Sequence, residues 1–353
     1  PAGLALFDYS KEEITTLNMK DLYADKVDRL RFRDAIEATG VVEDFEITYR
    51  KRDGTEIECL ETATVDRADD GMILNYHGII RDITEEKQAA RERLKFSALQ
   101  RELAIAHDIQ QSLLPEAVPG WTDLDVICYS KPTREVGGDF YAYHMFELSA
   151  EGQTDALPHF SVAVGDVSGK GIPAALLMAV SLASFQSIVA RDFTPNQLLV
   201  YLNQAIRLYT GATKQNCAFV YAELSPQADQ PGTYHLRTAN AGCMAPLVRR
   251  ADGTVEWLEV FGLPLGVTTG SEEGYQEVTI ELSQGDILVL TSDGVVEAQN
   301  TIREMWGFIR LEQAVAAGPT DSAAAMLTHL KTEVEAFLDT DPHDDLTIVV
   351  IRV

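Results

Sequence analysis

An α+β fold in three segments is what this sequence predicts: a small antiparallel sheet, a long helix, and a larger unit of paired strands with helices outside. Three observations carry that expectation. Residues 43–51 and 55–64 alternate polar and apolar side chains across Arg52-Asp53-Gly54, and Asp-Gly between two such runs is a strong hairpin signal. Residues 83–114 contain no Gly or Pro and are rich in Glu, Lys, Arg, Gln, Ala and Leu, the composition of a long helix. Beyond residue 121, strand-like runs come in neighbouring pairs instead of alternating singly with helices, which favours antiparallel sheets covered by helices.

The first segment, 1–82, opens with a helical region. Its third strand, 72–81, follows the turn signal Asp70-Gly71. Three antiparallel strands leave an edge and a face in need of cover. In the second segment, 83–114, Phe96, Leu99, Leu103, Ala106, Gln110 and Leu113 recur at three-four spacing until Pro115 stops the helix. That narrow stripe reads as a coiled-coil seam whose simplest partner is a second copy, giving a homodimer; packing back onto the chain's own domains is the alternative. The third segment, 115–353, has strand-like runs at 124–130, 140–148, 160–167, 216–224, 234–239, 278–282, 287–291 and 346–353. Helical patterns lie at 172–190, 195–209, 303–317 and 321–338. A sandwich of two sheets between helix layers fits this order. Residues 171–190 carry no charge, but Ser181, Ser184, Gln186 and Ser187 interrupt them, so a buried core helix is expected there and not a membrane span.

Composition narrows the function. The 353 residues carry a formal charge of −26, which sets aside nucleic acid and anionic membrane surfaces as partners. Cys59, Cys128, Cys217 and Cys243 are scattered without a CxxC pair. Structural zinc and a disulfide framework are therefore unsupported, and a reducing cytoplasm is expected. The chain begins at Pro1 and not at Met, which reads as a piece of a longer protein.

Chemistry concentrates in four short acidic motifs: Gly137-Gly138-Asp139-Phe140, Gly165-Asp166-Val167-Ser168-Gly169, Thr291-Ser292-Asp293-Gly294 and Asp344-Asp345-Leu346-Thr347. Each Asp borders a hydrophobic run of β character. Any one Asp-Gly is more simply a turn; four carboxylates at strand ends can build an oxygen cage for hard divalent ions. Like charges so close need cations. No His or Cys accompanies them at ligand spacing, so two Mg²⁺ or Mn²⁺ ions are expected and not Zn²⁺. Such a pair suits in-line attack of water on phosphorus.

The order GGDFY, GDVSGKG, TSDG, DDLT resembles the SpoIIE-like branch of the PPM metal-dependent serine/threonine phosphatases. Asn240-Ala241-Gly242 with Pro246, and the lead-in Ile109-Gln110-Gln111-Ser112-Leu113-Leu114-Pro115, match too. The resemblance covers about residues 100–353. It implies an α-β-β-α sandwich that hydrolyses phosphoserine or phosphothreonine. It also implies that Asp139 and Asp166 bridge the two ions, that Val167 offers its backbone carbonyl, and that Asp293 and Asp344 each hold one metal. Asp345 ranks second as a ligand, because related phosphatases often have Asn there. Arg134, five residues before Asp139, matches the spacing of a phosphate-binding arginine and suits bidentate contact; a surface arginine paired with Glu135 is the plain alternative. Lys170 is expected to be solvated. Many relatives read GGDFYD where this chain has Ala142, which bears on the second ion, but the four core acids are intact.

Two other likenesses fail. In a diguanylate cyclase signature Phe140 would have to be Glu, and His107 as a phosphoacceptor would need a nucleotide-binding domain that the sequence lacks. Arg50-Lys51-Arg52-Asp53-Gly54-Thr55 and Gly78-Ile79-Ile80-Arg81-Asp82-Ile83-Thr84-Glu85 look like the C-terminal half of a PAS sensor domain and its exit helix. The combined expectation is a cytoplasmic, homodimeric signalling phosphatase acting on a phosphorylated STAS-type anti-sigma factor antagonist, controlled by the PAS segment through the helix. A catalytically silent scaffold that only binds a partner is the rival.

Overall fold

The computed structural model describes residues 2–148, 157–267, 274–338 and 342–353. Contacts divide the chain into two compact units, Pro1–Arg101 and Glu102–Val353. The boundary falls inside the long helix, so the segment expected to stand between two domains is shared by them.

In the first unit, helices α1 (Ala2–Phe7), α2 (Lys11–Thr16) and α3 (Lys26–Thr39) precede strands β1 (Val41–Arg50), β2 (Glu56–Arg67) and β3 (Ile73–Asp82). Asp25 caps α3 by accepting from Val27 N, and Gly40 ends it in a left-handed conformation, the usual polar start and glycine stop. The three strands form one antiparallel sheet in the order β1-β2-β3. Asp53 closes the first hairpin by accepting from Thr55 N at 2.9 Å. Helix α3 packs on β1 and β2 over a core of Leu22, Phe32, Ile36, Ile47, Tyr49 and Ile57. Strand β3 is the open edge, with Leu74, Tyr76 and Ile79 exposed.

Helix α4 (Thr84–Leu113) is continuous over 30 residues. Asp82 starts it by accepting from Thr84 N at 2.9 Å, and Lys87 and Arg91 pair with Glu46 and Glu58 of the sheet at 2.6 and 2.8 Å. At its far end Gln110 is buried and exchanges two hydrogen bonds with the Gly137 backbone, at 2.7 and 3.0 Å. Gln110 therefore belongs to the second unit's own packing and not to a seam. Phe96 and Leu99 stay exposed.

The second unit is an α-β-β-α sandwich. One sheet has the order β10-β9-β12-β13-β4, from Val255–Trp257, Leu247–Arg249, Ile287–Thr291, Leu346–Arg352 and Asp125–Lys131. The other has the order β11-β8-β7-β6-β5, from Glu277–Leu282, Tyr234–Ala241, Cys217–Pro226, Leu157–Val167 and Phe140–Leu148. All pairings are antiparallel. Side chains such as Val126, Val162, Val220, Leu288 and Val349 fill the space between the sheets. Helices α5 (Ile172–Ile188) and α6 (Pro195–Thr213) cover the β5–β8 sheet, while α7 (Gly307–Ala317) and α8 (Ala323–Phe337) cover the other. Helix α5 buries Leu177, Met178, Leu182 and Phe185, the core helix that its Ser-interrupted sequence predicts. Among the described residues no helix is long and apolar enough to cross a membrane.

Candidate metal centre

The strand register brings the four acidic motifs to one end of the sandwich. Asp139 immediately precedes β5, and Phe140 pairs with Gly165, so Asp139 stands beside Asp166 at the end of β6. In the facing sheet Thr291 pairs with Ile348; Asp293 therefore follows β12 next to Asp344 and Asp345, which precede β13. Strand β13 lies against β5 and β6 across the sandwich, which joins the two halves of the cluster.

Burial and mutual repulsion govern these carboxyls. Asp139 is buried, and burial first and the Asp166 charge second push it well above the usual carboxylate range; the Ser292 and Thr347 hydroxyls pull the other way. Asp166 is pushed up to about 7, by burial and then by Asp293, with Asp344 and Asp345 adding to it. Asp293 is raised by burial and by Asp344. Glu297, four residues after Asp293, is raised by burial, Asp293 and Asp344. No expectation placed Glu297 at the site, although its helical i,i+4 spacing from Asp293 was readable.

Asp345 organises the loop between β4 and β5. Its Oδ1 accepts from Thr133 N and Oγ1 at 2.7 and 2.9 Å, and its Oδ2 accepts from Gly138 N at 2.8 Å. Both oxygens thus hold the loop that presents Asp139, which makes Asp345 a positioning residue for it. Gly138 permits close approach: a Cβ there would lie 2.5 Å from the Val167 carbonyl oxygen. That carbonyl is held at the cluster by Val167 N donating to Gly138 O at 3.3 Å.

The residues present fit hard divalent cations. The donors are all oxygens, the carboxyls repel one another, and the buried Asp139 Oδ2 has no hydrogen-bond partner, a costly state unless a cation meets it. Among the described residues, no three acid, His or Cys side chains close around a single point. The Asp carboxylates would therefore have to move to close on an ion, with the Val167 carbonyl as a further oxygen donor.

Other expected residues fall as follows. Arg134 is exposed on the 132–138 loop beside the cluster. Lys170 is exposed, as expected; its Nζ also lies 3.1 Å from Asp344 Oδ1 and donates to the His343 carbonyl at 2.5 Å. Ala142 is buried two residues into β5 with the core that faces α5 and α6. His107 bonds the Glu135 carbonyl through Nδ1 at 2.5 Å. Asn240 holds a turn, with Nδ2 donating to the carbonyls of Cys243 and Val260 at 3.0 and 3.1 Å.

Comparison with known proteins agrees with this architecture. Residues 158–353 match the family described as stage II sporulation protein E (SpoIIE), and residues 1–85 match the PAS domain family. The phosphoserine phosphatase RsbU of Bacillus subtilis (strain 168) is 27% identical over 296 residues, covering 80% of this chain and 75% of that protein. Protein IcfG of Synechocystis sp. is 22% identical over 288 residues, covering 75% of this chain but 43% of that protein. The SiaA-PP2C domain of Pseudomonas aeruginosa shares the fold with a TM-score of 0.56 at 20% identity, covering 73% of this chain and 98% of that one. The PP2C phosphatase domain of Bacillus subtilis SpoIIE, with a fragment of its regulatory domain, does so with a TM-score of 0.52 at 14% identity, covering 92% and 87%. The family match spans more than half of the chain, which therefore belongs to the SpoIIE family as a PP2C-type serine phosphatase carrying an N-terminal PAS domain.

Proposed function

We propose that this protein hydrolyses phosphoserine or phosphothreonine on a partner protein, using two divalent ions, Mn²⁺ or Mg²⁺. The observation that carries this reading is the set of carboxylates at one end of the sandwich, among them the buried Asp139 Oδ2 without a hydrogen-bond partner. Asp139, Asp166, Asp293 and Asp344 would hold the ions, with the Val167 carbonyl as a further oxygen donor. Asp345 keeps the Gly138–Asp139 turn in place through its bonds to Thr133 and Gly138. The ions would supply Lewis acidity and a nucleophile at neutral pH. Arg134, on the loop that Asp345 pins, would bind the phosphoryl oxygens in bidentate fashion. Ala142, the departure that bears on the second ion, is a buried core position.

The substrate we propose is a phosphorylated STAS-type anti-sigma factor antagonist in the cytoplasm, the class that the sequence resemblance implies; the likeness to the phosphoserine phosphatase RsbU supports a phosphoserine substrate. Control would pass from the PAS unit along α4. Its first turns pair with Glu46 and Glu58, and its last turns bond the Glu135 and Gly137 carbonyls next to Asp139. A second copy would cover the exposed Phe96 and Leu99, making a homodimer. Phosphate release from a phosphoserine STAS-domain protein, compared with an unrelated phosphoserine protein, tests the substrate: equal rates would remove it. Unchanged rate and metal affinity after deletion of residues 1–82 would remove the control.

A further inference from the structure

Lys170 brings a positive charge into the acidic cluster. Its Nζ lies 3.1 Å from Asp344 Oδ1 and donates to the His343 carbonyl at 2.5 Å. The same charge acts against the rise of the Asp293 and Glu297 carboxyls. Asp344 Oδ1 also accepts from Asp345 N at 3.0 Å, so the ammonium sits at a position where the backbone has already oriented the carboxylate.

The local chain suits a residue that moves between two fixed points. Before Lys170, Ser168 is tied down by three bonds: its N–H to Asn216 O at 3.0 Å, its Oγ from Asn216 N at 2.9 Å, and its carbonyl from Gln215 Nε2 at 2.9 Å. After it, Gly171 begins α5 with a Pro in the first turn. Between these anchors Lys170 is flanked by Gly169 at φ +90° and Gly171 at φ +81°, conformations that glycine adopts at little cost. The Lys170 side chain is 36% exposed. A half-exposed lysine–carboxylate pair is weak and easily exchanged, and a doubly charged ion attracts Asp344 more strongly than an ammonium does.

We propose that Lys170 is a resident counter-cation of the metal centre: it neutralises Asp344 until a divalent ion arrives, and the displaced ammonium then faces the substrate phosphate. This rests on the metal-dependent reading above. Lys170 thereby acts as a positioning residue for Asp344 and as a phosphate contact only after metal loading.

The test is Mn²⁺ titration, followed by calorimetry and electron paramagnetic resonance, on the full chain and its Lys170→Met and Lys170→Arg variants. Melting in EDTA checks that each is folded. Losing a competitor of exposed-ion-pair strength should tighten Mn²⁺ binding in Lys170→Met roughly threefold to sixfold. Lys170→Arg, which keeps the charge, should stay close to wild type. At saturating Mn²⁺, Lys170→Met should raise KM for a phosphoserine protein several-fold and change kcat less. Mn²⁺ affinity that is unchanged or weakened in Lys170→Met, with the wild type binding normally, overturns this role alone. A wild type that binds no Mn²⁺ overturns the metal reading and this role together.

Discussion

Replacing Asp166 by Asn should stabilise the metal-free protein while abolishing its response to metal. Asp166 is raised from 3.8 to about 7 by burial and by Asp293. At about 1.4 kcal/mol per unit this amounts to roughly 4 kcal/mol, and residual solvent contact and relaxation reduce it to about 2 kcal/mol. The sign follows from proton linkage. Below pH 4 the carboxyl is neutral in both folded and unfolded chains and costs nothing. As pH rises from about 4 to about 7 the unfolded chain ionises first, so stability falls, and above that window the full cost applies. In EDTA at pH 8, Asp166→Asn should therefore melt roughly 4–8 °C above wild type, given about 2–4 °C per kcal/mol for a unit of this size; near pH 4 the difference should vanish. Mn²⁺ at a hundred times its Kd should add about 2.7 kcal/mol to wild type and nothing to the variant. Differential scanning calorimetry reads both effects. A variant that melts below wild type in EDTA at pH 8, or that keeps the Mn²⁺ shift, would refute the reasoning.

Gly138→Ala places a methyl 2.5 Å from the Val167 carbonyl oxygen; overpacking of that kind should cost about 1–3 kcal/mol and weaken Mn²⁺ binding, as melting and titration would show. Arg134→Ala should leave melting and Mn²⁺ affinity unchanged and raise KM about tenfold or more, the scale of one lost charge-assisted hydrogen bond; a normal KM would remove Arg134 from the site. Phe96→Glu with Leu99→Glu, both exposed on α4, should convert a dimer to a monomer in light scattering with no loss of melting temperature in either unit.

The elements that the sequence revealed are those whose signals are local. Asp53-Gly54 marks a hairpin because few residue pairs fit that turn, and the Asp at the ends of apolar runs reach the end of the sandwich because strand ends share one edge. Strands β9 and β10, three residues each, are too short to show alternation. Gln110 fits three-four spacing whether it faces a partner helix or its own Gly137 loop, and periodicity cannot distinguish the two. The bonds of Asp345 to Thr133 and Gly138 span more than 200 positions, and the pairing of Lys170 with Asp344 depends on a loop geometry fixed by Asn216 and by the start of α5. Those contacts are set by tertiary folding and leave no pattern along the chain.

The central claim, that the four Asp form a metal-dependent phosphatase centre, is tested most directly by phosphate release from a phosphoserine protein, with and without Mn²⁺, for wild type and Asp293→Asn. Release that requires Mn²⁺ and disappears in Asp293→Asn, with the variant still folded, is the predicted result. Release that persists in EDTA or in Asp293→Asn would contradict it.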